Sequence, residues 1–329
     1  MTTSRPKIGV MFLREYLPES IPDFARMAEQ AGFDDLWFVE DAFYNGGISA
    51  AGVALAVTNH ITIGIGIQPA VVRNVAYNAM DLATLARIYP GRFEIGLGHG
   101  LAEWIRQVGE FPSSQMGALG DATLALRQLL RRETVTVDTP DLHLDAVALE
   151  YPPATVPRVS LGVTGPKSLN MAGRVADGTI LVEMTGPALV RHNRALIAAG
   201  QEEAGRGGEH HQITVFAFWS QDADAATARD RLRPQLAGRI DRKALRDLEP
   251  AGFAEEAAAM LDQGGADLLA RDMPDAWIDE LAVAGSAADC LAAVGRLGNA
   301  GADRVTLVPP VSATIDQIAT WAQDLFAAR

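Results

Sequence analysis

Residues 61–100 read ITIGIGIQPAVVRNVAYNAMDLATLARIYPGRFEIGLGHG. The runs Ile61–Ile67 and Phe93–Leu97 predict two strands, and Asn78–Arg87 between them has apolar residues at helical spacing. Two apolar strands joined by a helix predict a right-handed βαβ unit with parallel strands. Each strand also carries two glycines near its end (Gly64 and Gly66, Gly96 and Gly98). Spacing alone allows two interpretations equally: a close backbone approach to a ligand, or packing of helices against a barrel.

The same alternation of strand and helix continues along the chain. Eight apolar runs are each followed by a helical pattern: KIGVMFL, DLWFV, ITIGIGI, FEIGL, RVSLGV, TILVEM, ITVFAFW and RVTLV. Eight such units in one uninterrupted series predict an α/β protein, a (β/α)8 TIM barrel. No Gly-, Ser- or Pro-rich linker divides the chain, so we expect a single domain over residues 1–329.

Two segments depart from this alternation. Polar and apolar residues alternate in Glu133–Tyr151 around the turn Thr139-Pro140-Asp141, which predicts a short external β-hairpin. Helical patterns in Ala223–Asp247 and Phe253–Gln263 predict a helical insertion before the last strand.

Composition excludes several classes of protein. The 329 residues include 28 basic and 41 acidic ones, a formal net charge of −13 spread along the chain, so a nucleic acid is not an expected partner. No apolar run reaches the roughly 20 residues needed to span a membrane, and Met1–Lys7 does not resemble a signal peptide. The single Cys290 excludes an internal disulfide and a cysteine-based zinc site. We therefore expect a cytoplasmic protein.

Three segments carry residues suited to chemistry, and each follows a predicted barrel strand. Glu40 and Asp41 follow the second strand, where one carboxylate can face the barrel axis; Asp41 could instead cap the next turn. His99 lies between two glycines after the fourth strand and could transfer a proton near neutral pH, or could be an exposed loop residue. Both positions belong to the mouth where TIM barrels bind their ligands.

The third segment is Thr164-Gly165-Pro166-Lys167, between the fifth strand and a helix. Free N–H groups and the dipole at a helix N-terminus favour an anion, and Lys167 could add a counter-charge. A Rossmann fingerprint is absent from the first βαβ unit, and no His-x-His pair follows a strand, so we expect neither a nicotinamide cofactor nor a metal.

With these residues identified, the chain resembles the bacterial luciferase-like superfamily and, within it, the F420-dependent oxidoreductases. The resemblance covers nearly the whole chain. It is strongest in DLWFVEDAFYNGG (35–47), IGIGIQPAVVRN (63–74), AMDLATLARIYPGRFEIGLGHG (79–100) and LGVTGPKSLNMAGRVADGTILVE (161–183). The resemblance implies one luciferase-like TIM-barrel domain, coenzyme F420 as the cofactor, hydride transfer at C5 of its deazaflavin, a small-molecule substrate and a homodimer.

The resemblance also implies roles for individual residues. A non-prolyl cis peptide would join Gly66 and Ile67 in a bulge at the end of the third strand, and Ile67 would press against one face of the deazaflavin. Thr164 and Gly165 would bind the cofactor's phosphate. The polar edge of the ring would contact Glu40 and the turn formed by Gly98, His99 and Gly100.

Two departures from the family pattern bear on the substrate. Related enzymes often have Asp-His where this chain has Glu40-Asp41, and the sugar-phosphate dehydrogenases have a glutamate where this chain has Leu101. The acid–base pair of those dehydrogenases is therefore absent, and His99 and Asp41 are the available groups for proton transfer. An apolar substrate, reduced rather than oxidised, is expected among four aromatic residues: Phe12, Phe43, Tyr44 and Trp104.

Two other interpretations stay open from the sequence. An FMN-dependent luciferase-like monooxygenase could use the same barrel, with a reductase as its partner and oxygen as its co-substrate. A non-enzymatic flavin-binding barrel is the third.

Overall fold

The computed structural model describes residues 5–329. The prediction that Met1–Lys7 is not a signal peptide falls partly on residues 1–4, which lie outside the described residues. The strands follow one another in this order: β1 (Lys7–Phe12), β2 (Asp35–Phe38), β3 (Thr62–Pro69), β4 (Phe93–Gly98), β5 (Val135–Thr139), β6 (Leu142–Val147), β7 (Arg158–Gly162), β8 (Gly178–Leu181), β9 (Gln212–Gln221), β10 (Val283–Gly285) and β11 (Arg304–Val308).

The helices surround these strands and connect most of them. They are α1 (Ile21–Ala31), α2 (Gly47–Val57), α3 (Val75–Ile88), α4 (Ala102–Gln107), α5 (Gln115–Leu130), α6 (Pro166–Val175), α7 (Pro187–Glu203), α8 (Ala225–Ala237), α9 (Leu245–Leu248), α10 (Ala254–Asp272), α11 (Asp275–Leu281), α12 (Ala287–Ala300) and α13 (Ile315–Ala327). None of these helices of residues 5–329 combines the length and the apolar character needed to cross a bilayer.

Eight parallel strands close into a barrel in the order β11-β1-β2-β3-β4-β7-β8-β9, with β9 paired to both β8 and β11. These are the eight strands that the sequence predicts, so the (β/α)8 barrel is confirmed. The predicted single domain over residues 1–329 stays a prediction. Both faces of each barrel strand are covered, which is why the strands read as apolar runs rather than as alternating patterns.

Two apolar layers lie on opposite sides of the barrel strands. Val10, Leu36 and Ile63 belong to the outer layer, packed between strands and helices. Met11 and Trp37 belong to the inner layer, which fills the barrel and continues into the insertion helices. Neighbouring residues of one strand therefore face different layers, as the pleat of a strand requires.

The two departures from the alternation take the forms that the sequence predicts. Strands β5 and β6 form an antiparallel hairpin, and helices α8 to α11 form the insertion before β11. Some boundaries differ. Helix α8 ends at Ala237 rather than at Asp247, while α10 continues to Asp272 through a kink at Gly265, whose φ is +63°. No sequence pattern predicts β10, three residues that pair with the end of β9.

A polar layer occupies the barrel interior at the N-terminal ends of the strands. Arg304 donates hydrogen bonds to Asp35 at 3.2 Å and to Glu94 at 2.9 Å. Gln212 and Arg158 extend this network around the barrel. The layer lies at the end of the barrel opposite the mouth described below.

Candidate active site

The end of β3 has an irregularity that places Ile67 at the mouth of the barrel. Gly66 pairs with Gly96 and Gln68 with Leu97, so Ile67 is left over as a bulge. The peptide between Gly66 and Ile67 is cis. Both the bulge and the cis bond are confirmed as the family resemblance implies.

Glycines on the neighbouring strands make room for the Ile67 side chain. A Cβ at Gly98 would lie 2.7 Å from Ile67 Cδ1, and one at Gly162 would lie 2.2 Å from Ile67 Cγ2. Both distances are shorter than any non-bonded contact between two carbon atoms. Only glycine at positions 98 and 162 therefore leaves the Ile67 side chain in this position. The partly exposed side chain of Ile67 then forms part of the wall of a cavity.

This cavity has a volume of about 500 Å³ and opens at the mouth. Phe43, Tyr44 and Trp104 form an aromatic wall, with the Trp104 ring 6.4 Å from that of Phe43 and 6.5 Å from that of Tyr44. The two smaller rings are well exposed, Phe43 at 69% and Tyr44 at 50%. Large apolar surfaces exposed in a concave site are typical of ligand binding.

Glu40 is held at the cavity wall by polar partners on β3 and its following loop. It is only 9% exposed, and it forms an ion pair with Arg73. Gln68 Nε2 lies 3.4 Å from Glu40 Oε2, and Asn78 donates to Gln68 Oε1 at 2.7 Å. The Glu40 backbone N–H also donates to the Ile67 carbonyl at 3.3 Å. The carboxylate of Glu40 and the bulge therefore have a fixed relation to each other.

Asp41 forms a second ion pair on the same wall. Arg14 Nη1 donates to Asp41 Oδ2 at 2.6 Å. The Arg14 guanidinium also lies 4.9 Å from the centre of the Tyr44 ring and 5.8 Å from that of Trp104, within the range of cation–π contacts. Arg14 thus joins the acidic residue after β2 to the aromatic wall.

His99 is half-buried behind the turn that follows β4. Among the described residues that line the cavity are Gly100 and Leu101, but not Gly98 or His99. Burial lowers the pKa of His99, against a backbone hydrogen bond at Gln115 that raises it. Its Nδ1 is buried, with no hydrogen-bond partner in residues 5–329. A neutral imidazole is the form that this surrounding favours.

The predicted anion site has the expected form at the N-terminus of α6. Gly165 is the N-cap of this helix, and no described side chain hydrogen-bonds to the cap. A Cβ at Gly165 would meet nothing within 4 Å in the described part of the chain. Thr164 and Lys167 are exposed beside it. The first N–H groups of α6 are therefore accessible to an anion.

A smaller cavity of about 160 Å³ lies next to Thr164. Its wall includes Glu183 after β8, Phe218 of β9 and Arg239 after α8. Burial raises the pKa of Glu183, while the charge of Arg239 opposes this effect. The family resemblance assigns no role to this carboxyl group.

The structure brings most of the predicted site residues to one mouth, but Phe12 lies elsewhere. Phe12 is only 1% exposed, and its ring packs against those of Phe24 and Tyr16 at 5.2 and 5.4 Å. It lies in the layer between β1 and helix α1, away from the cavity. We therefore correct the prediction that Phe12 contacts substrate.

Sequence reasoning missed the charged residues Arg14, Arg73 and Glu183. Arg14 lies in a loop with no recognisable motif, and Arg73 lies in IGIGIQPAVVRN, where the family resemblance implied no role for it. For Glu183 a signal existed: TILVE places a carboxylate after an apolar strand, as LWFVE does for Glu40.

An eight-stranded parallel barrel surrounded by helices defines a TIM barrel, a fold whose characterised enzymes bind their ligands at the C-terminal face. The chain belongs to the luciferase-like monooxygenase family, whose sequence profile matches residues 10–304. This confirms the superfamily that the sequence motifs indicate.

Two relatives and one solved structure illustrate the similarity. The chain is 28% identical over 311 residues to a 5,10-methylenetetrahydromethanopterin reductase of Methanolobus tindarius, covering 92% of this chain and 94% of that protein. It is 30% identical over 236 residues to an F420-dependent glucose-6-phosphate dehydrogenase of Kineococcus radiotolerans, covering 67% and 69%. The coenzyme F420-dependent tetrahydromethanopterin reductase of Methanopyrus kandleri has the same fold, with a TM-score of 0.82, 20% identity and coverage of 98% and 99%.

Proposed function

We propose that this protein is a coenzyme F420-dependent oxidoreductase that transfers a hydride between C5 of the deazaflavin and a small, apolar organic substrate, in the reductase direction. The main observation in support is the shelf formed by Ile67, held by glycines of β4 and β7 on one side and open to the cavity on the other. When bound, F420 supplies a two-electron hydride donor or acceptor, and the protein supplies binding and orientation.

The residues of the mouth fit such a cofactor. Ile67 offers an apolar contact for one face of a flat ring. Glu40 and Gly100 line the cavity and offer polar groups for the edge of the ring, whereas Gly98 and His99, which the family resemblance also implies, lie behind the turn that follows β4. Thr164, Gly165 and Lys167 offer free N–H groups and a positive charge for a phosphate.

The aromatic wall supports an apolar substrate. Phe43, Tyr44 and Trp104 line the cavity, and Leu101 adds a further exposed apolar surface. Leu101 occupies the position at which the sugar-phosphate dehydrogenases carry an acid–base glutamate. Asp41 and Glu40 are held by arginines and, with His99, are the predicted groups for proton transfer.

A second candidate is an FMN-dependent monooxygenase, which the description of the family favours. Titrating the purified protein with F420 and with FMN, followed by absorbance, separates the two. We expect saturable binding of F420 at micromolar concentration and weaker binding of FMN. Tight binding of FMN alone would contradict the proposal.

The same titration tests the anion site through Gly165→Asp. An aspartate at this N-cap accepts hydrogen bonds from the first N–H groups of α6 and repels a phosphate, so we expect the Kd for F420 to rise at least about tenfold. Melting temperature should stay the same or rise, because aspartate is a good N-cap. Gly165→Ala is the matched control and should bind F420 nearly as the wild type does. Equal affinities of the wild type and Gly165→Asp would place the phosphate elsewhere.

We also propose a cytoplasmic homodimer formed through helices α2, α3 and α5. These neighbouring helices carry exposed apolar side chains: Val53, Tyr77, Met80, Ile88 and Leu124. Sedimentation velocity should give the mass of a dimer, and Met80→Lys should shift it toward the monomer. Val156→Lys, a similar change on a different surface, should leave the dimer intact. A wild-type monomer at micromolar concentration would contradict this proposal.

A further inference from the structure

We propose that Glu183 holds and delivers the proton that accompanies hydride transfer in this mouth. This inference rests on the proposed oxidoreductase function and adds a residue to its machinery.

The position of Glu183 follows from the order of strands in the barrel. It comes after β8, and β8 is separated from β2 by β3, β4 and β7 on one side and by β1, β11 and β9 on the other. The two strands are therefore diametrically opposite. Asp41 follows β2 and Arg14 follows β1, and the charges of both act on the Glu183 carboxyl. The strand order therefore places Glu183 across the mouth from the Asp41–Arg14 pair, where it lines the smaller cavity.

Glu183 differs from the other acidic residues of the mouth in its partners. Asp41 is hydrogen-bonded to Arg14 at 2.6 Å, and Glu40 forms an ion pair with Arg73. Glu183 has no ion pair within 4 Å among residues 5–329. Asp41 and Glu40, which the sequence predicts for proton transfer, therefore each contact a guanidinium, whereas the Glu183 carboxyl contacts none within the described part of the chain.

The surroundings of Glu183 favour the protonated carboxyl. Its cavity of about 160 Å³ is lined by Met184, Phe218 and Leu248 as well as by polar groups. Burial is the main cause that raises its pKa, and Asp41 raises it further. The positive charges of Arg239 and Arg14 act in the opposite direction, and Asp247 is the other acidic residue of the cavity. A carboxyl whose pKa is raised by burial is suited to acid–base catalysis.

Glu183 can transfer this proton in either direction of the reaction. In a reduction, the hydride forms a C–H bond at an electron-poor carbon of the substrate, and the electron pair of its bond to a heteroatom moves to that heteroatom. The heteroatom then takes the proton of the Glu183 carboxyl, which becomes a carboxylate and is reprotonated from water at the mouth. The substrate gains two electrons and two hydrogens, and the reduced cofactor loses one hydride. In an oxidation, the Glu183 carboxylate accepts the proton.

The first test needs no turnover. Infrared spectra of the wild type are recorded over a range of pH, with and without F420. They should show a protonated carboxyl band that persists at pH values above the ordinary pKa of glutamate. The band should be missing in Glu183→Gln and present in Asp247→Asn, the matched control from the same cavity. If the wild type and Glu183→Gln have the same carboxyl band, the proposal is overturned, whichever substrate the enzyme uses.

The second test uses turnover of F420 with two probes, 5,10-methylenetetrahydromethanopterin and cyclohex-2-enone. With a probe that the wild type reduces, Glu183→Gln should lower kcat by about 10²–10⁴-fold and abolish the loss of rate at high pH, while the Kd for F420 changes less than about threefold. Glu183→Asp should restore part of kcat. Undiminished turnover in Glu183→Gln, with F420 bound, would overturn this inference and leave the proposed function intact. Failure of the wild type to bind F420 would overturn both.

Discussion

Replacing Gly162 with alanine is expected to abolish most cofactor binding and to lower the free energy of unfolding by about 1–3 kcal/mol. The new Cβ would lie 2.2 Å from Ile67 Cγ2, so the Ile67 side chain must move. In the proposed complex, Ile67 forms the shelf for the deazaflavin. The same displacement should therefore raise the Kd for F420 at least about 100-fold, or about 2.7 kcal/mol. Absorbance titration and chemical denaturation measure the two losses separately.

A double-mutant cycle with Ile67→Ala makes the prediction specific. Alanine at position 67 has no Cγ2, so Gly162→Ala should cost little stability in that background, with a coupling energy of about 0.5–3 kcal/mol. Affinity for F420 should stay low in all three variants, because each lacks the shelf. Gly295→Ala in α12 is the control: its Cβ meets nothing within 4 Å in the described chain, and it should leave F420 binding unchanged. Strictly additive stability losses would show that Gly162 and Ile67 do not compete for space.

The barrel could be predicted from the sequence because its strands are covered on both faces. Burial on both sides selects short continuous apolar runs, and eight of these separated by helices allow few other folds. The same continuity explains the error at Phe12. In KIGVMFL both faces are apolar, so no alternation distinguishes Met11, which faces the barrel interior, from Phe12, which faces the helices.

The glycines of β3 and β4 show what spacing alone could not resolve. A Cβ at Gly64 would lie 2.4 Å from the Trp37 ring, so this glycine serves packing inside the barrel. A Cβ at Gly98 would instead contact Ile67 at the mouth. Both glycines therefore make room for a side chain of a neighbouring strand, and neither packs against a helix. The close approach to a ligand stays a prediction. The place of the bulge, at Gly66 and Ile67, was predicted through the family resemblance.

The charged partners of Asp41 and Glu40 could not be predicted from the sequence. Arg14 reaches Asp41 and Arg73 reaches Glu40 only because the barrel brings the ends of β1, β2 and β3 together. Glu183 could have been found by applying to TILVE the rule used for Glu40, that a carboxylate directly after an apolar strand can face the axis. The roles of all these residues stay predictions.

Replacing Arg304 with methionine is expected to lower the free energy of unfolding by about 3–5 kcal/mol, the usual cost of breaking a buried ion pair. Arg304 is 5% exposed and hydrogen-bonds both Asp35 and Glu94 inside the barrel. Methionine fills similar space but leaves Asp35 buried without an arginine, while Glu94 keeps only its 3.4 Å contact with Arg158. Chemical denaturation measures the loss, and F420 binding per folded molecule should change little, because this layer is at the far end from the mouth.

The loss should grow with pH. Burial raises the pKa of Asp35 to about 6, although the charge of Arg304 opposes that rise. A carboxyl whose folded-state pKa exceeds its unfolded value destabilises the fold progressively as pH rises from about 4 through the folded-state pKa. Without Arg304 the pKa of Asp35 rises further, so the variant continues to lose stability above pH 6, where the wild type no longer does. The difference between the two proteins should therefore be larger at pH 8 than at pH 5.5.

Two further variants separate this effect from the loss of a positive charge. Arg271→Met removes an arginine from an exposed ion pair with Asp272 and should change the free energy of unfolding little at either pH, because solvent screens such a pair. Adding Asp35→Asn to Arg304→Met removes the unpaired carboxylate of Asp35. The double variant should therefore recover part of the stability at pH 8 but little at pH 5.5. If Arg304→Met loses the same free energy at both pH values, the cause is lost packing of the arginine side chain, because only an uncompensated buried charge makes the loss depend on protonation.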